Sequence, residues 1–109
     1  SEETLASAMN AAGILEKGSQ VFSEKCAACH GAELQGLVGP NLTDNYWIHG
    51  KGTRTDIVKV IREGVLDKGM LAWEQVLSKE EIYAVTALII SKKGTQPANP
   101  KPPQGERAE

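Results

Sequence analysis

Long apolar runs are missing from this chain of 109 residues. The longest, Ile82 to Ile90, holds nine residues, against the roughly 20 that a bilayer-crossing helix requires, so the chain is not expected to span a membrane. A basic excess is missing too. Twelve Lys and Arg stand against fourteen Asp and Glu, for a net charge of −2 and a pI near 5.7, which argues against nucleic acid as a partner. Aromatic residues number only five, so a core must come mainly from aliphatic side chains, and one domain is the expectation at this size. No internal repeat is visible. The opening Ser1-Glu2-Glu3-Thr4-Leu5 has neither the basic flank nor the apolar stretch of a secretory leader. A mature exported protein or a domain of a longer chain are the two expectations. Charge is uneven: residues 1–50 carry two Lys against six acids, and residues 51–70 carry five bases against three acids. We read this as an ordinary solvated surface, with a docking face as the alternative.

What is present reads as helices around a long irregular segment. Ile14, Leu15, Gly18, Val21 and Phe22 recur at three-and-four spacing and predict a helix over residues 11–28. Gly18 inside that face costs about 1 kcal/mol against Ala, so its expected role is to admit the backbone of a neighbouring helix. Residues 31–52 contain five glycines and Pro40; a structureless loop of that length is uncommon unless it serves function. Thr53 as N-cap, with Asp56 three residues on, opens a second helix through Ile57, Val58, Val60 and Ile61, and Gly64 ends it. Ser78 and Glu81 form a capping box before Ile82, Val85, Leu88 and Ile89, and Lys92-Lys93-Gly94 closes that helix. Four of the five prolines follow Gly94. The expected organisation is therefore an N-terminal extension or linker over residues 1–13, a folded domain over 14–94, and a Pro-rich flexible tail over 95–109.

Chemistry concentrates in Cys26-Ala27-Ala28-Cys29-His30. Two thiols one helical turn apart can add to the two vinyl groups of haem, and the following His can ligate the iron. A structural zinc site needs four ligands, and the chain offers two Cys and two His. A redox dithiol wants a strand ahead of the motif, and none is predicted. Haem also supplies the apolar bulk that so few aromatics do not, and gives the long loop something to wrap. The candidates for a sixth ligand are Met9, Met70 and His49. Met70 stands 40 residues beyond His30, enough chain to return on the distal side, and its soft thioether favours ferrous iron. Met9 is expected at the surface, and His49 in local hydrogen bonding or exposed.

Together with Gly18-x-x-x-Phe22, Gly39-Pro40-Asn41-Leu42, Met70-Leu71-Ala72-Trp73 and the capped last helix, the motif resembles a single-haem cytochrome c domain of the His/Met type over residues 14–93. Asn41-Leu42-Thr43-Asp44-Asn45-Tyr46-Trp47-Ile48-His49-Gly50 is similar to a segment of the haem-c subunit of cbb-type haem-copper oxidases. The resemblance implies an all-α cytochrome c fold wrapped around one covalent haem c, with Cys26 and Cys29 as attachment points and His30 and Met70 as iron ligands. It further implies that the Pro40 carbonyl ties down the other nitrogen of His30. Trp73, three residues after Met70, is the favoured candidate for a haem contact, with ordinary packing as the alternative. Trp47, Tyr46 and Asn41 are further candidates for the haem wall or its propionates. Leu71 stands where the family usually has Pro, which implies a less stiff ligand loop. Leu88 takes the place of an aromatic at the helix crossing. The implied function is electron transfer, in a periplasm or on the outer face of a membrane. The protein would be a carrier or a tethered domain that delivers electrons from a redox donor to a terminal oxidase, not an enzyme in its own right. The alternative is a haem peroxidase or gas-binding protein with a labile or absent distal Met.

Overall fold

The computed structural model describes residues 2–108. Among these, the helices are α1 (Glu2–Met9), α2 (Ile14–Lys25), α3 (Ala27–His30), α4 (Arg54–Glu63) and α5 (Lys79–Lys92), and a two-stranded antiparallel pair joins β1 (Tyr46–Trp47) to β2 (Glu106–Arg107). The protein is thus mostly helical, as expected, with long loops between helices.

Local chemistry sets the helix starts. Ser78 Oγ accepts from the Glu81 amide at 3.1 Å, and Glu81 Oε1 accepts from the Ser78 amide at 2.9 Å, so the box predicted for α5 is closed in both directions. Thr53 Oγ1 accepts from the Asp56 amide at 3.2 Å and caps α4, which Gly64 terminates at φ 72°. The helix expected over residues 11–28 is shorter at its start and broken near its end. Gly13 is left-handed at φ 76°, so α2 begins at Ile14, and Cys26 at φ −114° separates α2 from α3.

The core forms where α2 crosses α5. A Cβ on Gly18 would overlap the Ala84 carbonyl oxygen and stand 3.2 Å from Leu88 Cβ, so the glycine is what lets the two backbones meet, as expected. Val21, Phe22, Ile82, Val85, Leu88 and Ile89 are buried there, and Ile57, Val58 and Ile61 of α4 join them.

Two expectations fail. Met9 is buried at 8% exposure, not at the surface, because it and Leu5 share one face of α1, which packs on α4 and α5. The tail is extended, but it is not unattached. Gly94 N–H donates to Thr43 O at 2.8 Å, Lys101 N–H to Gln35 O at 2.8 Å, and Ala108 N–H to Asn45 O at 2.8 Å. Tyr46 pairs with Arg107 and Trp47 with Glu106. Unpaired backbone groups of the loop 31–52 supply these partners, and the tail prolines keep the strap extended without competing for them.

Candidate functional site

The Cys-x-x-Cys-His motif sits on the break between α2 and α3. The Cys26 amide donates to Phe22 O at 2.8 Å and its carbonyl accepts from His30 N–H at 3.0 Å, so helical geometry carries through and spaces the cysteines by one turn. Both thiols are free; Cys26 is half-buried and Cys29 exposed. Burial, with the neighbouring Cys29 second, pushes the Cys26 thiol up to about 11.

The loop closes back on this motif through carbonyl oxygens. Cys29 O accepts from Leu37 N–H at 3.1 Å and Gly39 N–H at 2.8 Å, and His30 O accepts from Gly36 N–H at 2.7 Å. These bonds bring Pro40 to the histidine: His30 Nδ1 lies 2.8 Å from Pro40 O. A carbonyl can only accept, so Nδ1 carries the proton and Nε2 keeps its lone pair. Burial lowers the His30 pKa; the Pro40 bond opposes that, and the Lys101 charge adds to it. The ring is therefore a neutral, oriented donor. Gly39 lies against its face, since a Cβ there would stand 2.8 Å from Cε1.

Met70 and Trp73 come from the segment after α4. Val65 and Met70 form an isolated antiparallel bridge, with Val65 N–H to Met70 O at 3.0 Å and Met70 N–H to Val65 O at 3.1 Å. The turn between them is a 3₁₀ stretch, Leu66–Lys68, closed by left-handed Gly69. Gly64 packs on the next peptide, where a Cβ would lie 2.6 Å from Met70 O and Leu71 C. Met70 is half-buried and Leu71 is 57% exposed. Trp73 opens a second 3₁₀ turn, Trp73–Gln75, which packs on α4. Cys26, Met70, Trp73 and Trp47, from four different segments, all pack against one hydrophobic core.

Other candidates resolve differently. Asn41 is buried, and its amide is used within the protein: Oδ1 accepts from Thr43 N–H at 2.8 Å and Thr43 Oγ1–H at 2.6 Å, and Nδ2 donates to Lys101 O at 3.3 Å. Tyr46 is taken up by the strand pair. His49 is exposed, on the rim of a cavity of about 520 Å³ that it shares with Asp56, Lys59 and Glu63. Trp47 Nε1 is buried without a hydrogen-bond partner, and Lys93 Nζ stands 6.0 Å from the centre of its rings. Lys101 and Val65 are not singled out by the sequence, which marks Gly64 only as the end of a helix. A lone lysine among prolines and a β-bridge of one residue pair carry no periodic signal.

The residues fit a haem. The donor set is a neutral imidazole with a fixed tautomer, a thioether and two thiols one turn apart. Leu37 and Val38, bonded through backbone to Cys29 or next to that bond, expose 54% and 81% of their surface, apolar area of the kind a macrocycle covers. Among the described residues no group of three or more His, Cys, Asp or Glu is placed to hold a metal ion.

Residues 13–89 match the family described as cytochrome c oxidase, cbb3-type, subunit III. The chain belongs to this family. Its relatives include a cbb3-type cytochrome c oxidase subunit CcoP of Rhodobacter capsulatus, 38% identical over 87 residues, which are 72% of this chain and 29% of the relative. A subunit FixP of Sinorhizobium medicae is 37% identical over 86 residues, 74% of this chain and 28% of the relative. The chain thus spans under a third of the length of these relatives. The crystal structure of cytochrome cL from Hyphomicrobium denitrificans is similar at a TM-score of 0.65 and 30% identity, covering 74% of this chain and 48% of that one. Cytochrome cL from Methylophaga aminisulfidivorans is similar at 0.67 and 24% identity, covering 78% and 57%. The fold is that of a cytochrome c, and electron transfer by a haem-c domain is the function that this family and fold carry. Among the described residues no helix is long and apolar enough to cross a membrane.

Proposed function

We propose that this chain is a one-haem electron-transfer domain in which Cys26 and Cys29 hold the porphyrin through thioethers and His30 and Met70 ligate the iron. The observation that carries the reading is the His30 Nδ1–H to Pro40 O bond of 2.8 Å inside a Cys-x-x-Cys-His turn whose two thiols are free. That bond fixes the tautomer and plane a proximal ligand needs. Bound haem supplies one-electron chemistry between ferrous and ferric iron. The chain's own part is to orient and exclude. His30 presents Nε2, and Met70 is held by the Val65 bridge, which restrains a loop that Leu71 leaves without the usual proline. Trp73 and the aliphatic core would shield the iron from water. No side chain needs to perform acid–base work, and the domain acts as a carrier and not as a catalyst.

We further propose that residues 14–94 carry the groups that attach and ligate the haem. The domain works outside the cytoplasm, in a periplasm or at the outer face of the membrane, and passes electrons from a redox donor toward a terminal oxidase. The family match and the oxidase-like segment 41–50 support that destination over a free shuttle. The test is direct. Protein matured with haem should retain it in acid acetone and weigh as the polypeptide plus one haem. Haem extracted by the solvent would overturn the reading.

A further inference from the structure

The tail that wraps the loop places one charged side chain at the turn on which the proximal histidine depends. Lys101 is half-buried, and its backbone is fixed on both sides: its N–H donates to Gln35 O at 2.8 Å, and its carbonyl accepts from Asn41 Nδ2 at 3.3 Å. Its Cβ lies against Gly36, where an added Cβ would come within 2.7 Å of it. Gly36 has φ 93° and its own N–H donates to His30 O at 2.7 Å. So anchored, the side chain reaches across the turn, and Nζ donates to Val38 O at 3.2 Å and Gly39 O at 3.5 Å. The Gly39 carbonyl belongs to the peptide that leads into Pro40, and Pro40 O is the acceptor for His30 Nδ1.

We propose that Lys101 is a positioning residue for the proximal ligand: its ammonium pins the Val38 and Gly39 carbonyls and thereby holds the Pro40 carbonyl on the His30 ring. Backbone bonds from Leu37 and Gly39 N–H to Cys29 O, and from Leu37 N–H to Gly39 O at 3.1 Å, close the turn. Val38 is 81% exposed and Gly39 carries no side chain, so side-chain packing adds little to them, and the ammonium is the further restraint on the peptide planes that aim Pro40 O. An ammonium shared between two carbonyls restrains both, and a charged donor bonds more strongly than a neutral one. The strap is therefore part of the machinery that orients the iron ligand, although it lies more than sixty residues beyond the motif. This inference rests on the reading of His30 as the proximal ligand.

The test compares reduced, haem-loaded wild type with Lys101→Met and Lys101→Arg, reading solvent exchange of the His30 Nδ1 proton by NMR. The same preparations give exchange of the Gly36 and Gly39 amides by mass spectrometry. Lys101→Met should speed Nδ1–H exchange at least about tenfold, the factor one charge-assisted bond carries, while the thermal midpoint stays near wild type. Lys101→Arg should restore slow exchange, because the guanidinium also donates to two carbonyls. Exchange in Lys101→Met within about twofold of wild type would overturn the proposal, as would Lys101→Arg behaving like Lys101→Met. Wild type without covalent haem would instead overturn the haem reading. The Gly36 and Gly39 amides of that protein would still decide Lys101, with faster exchange in Lys101→Met supporting the pin and unchanged exchange ending it.

Discussion

At the scale of single residues the site divides into what spacing reveals and what only folding reveals. Cys26, Cys29 and His30 declare themselves, because thioether attachment and ligation require those atoms within one turn, and the structure keeps that turn through the break at Cys26. Pro40 entered through resemblance, and its carbonyl is found 2.8 Å from His30 Nδ1. Met9 was misplaced because two apolar residues four apart are a weak signal beside the long runs of α2 and α5. The distal ligand carries the first prediction. With Met70 on the iron, oxidised protein should show the weak far-red sulfur-to-iron charge-transfer band. Met70→Ala should abolish it, and Met70→His should keep six-coordination while lowering the potential. A spectrum untouched by Met70→Ala but altered by His49→Ala would move the ligand to His49.

At the scale of elements, legibility followed capping chemistry. The starts of α4 and α5 were readable because Thr53 and Ser78 are N-caps with the right third residue, whereas α2 was overextended because nothing local announces the left-handed Gly13. Two predictions belong here. Gly18→Ala gains about 1 kcal/mol of helix propensity, yet its Cβ would overlap the Ala84 carbonyl. Forced overpacking costs about 1–3 kcal/mol, and here the obstacle is backbone, which does not swing aside. The variant should lower the denaturant midpoint, and a rise would mean that the crossing has slack. Ser78→Ala should cost about 1 kcal/mol. The Glu81 half of the box depends on pH. The Ser78 amide, first, and other contacts hold its carboxyl below the ordinary 4.5. Its folded value thus lies below its unfolded one, so the stabilisation is present above 4.5 and disappears as pH falls through the folded value. The gap in thermal midpoint between wild type and Glu81→Ala should therefore narrow on acidification below that range. A gap that stays constant would remove the carboxylate from the account.

Across the whole molecule, the docking of the tail was illegible for a physical reason. Its attachments are backbone bonds and one lysine, made to a loop far away in sequence, and neither composition nor periodicity encodes such pairs. The structure distributes its buried apolar area unevenly, and that predicts uneven stability. The α2–α5 crossing buries Phe22, Ile82, Val85, Leu88 and Ile89 around Gly18, whereas the segment that bears Met70 is held by the two-bond bridge to Val65 and the contact with Gly64. Leu66 and Leu71, on either side of Met70, are 70% and 57% exposed. Opening this segment uncovers little new apolar surface, so it should need less denaturant than melting the crossing. In a guanidinium titration of oxidised holoprotein, the far-red sulfur-to-iron band should vanish before the far-UV helical signal falls. Gly64→Ala, which presses a Cβ onto the Met70–Leu71 peptide and also strains the left-handed end of α4 at φ 72°, should move the first transition more than the second and so widen the separation. Coincident loss of both signals in wild type would mean that the Met70 segment and the helical crossing unfold as one unit.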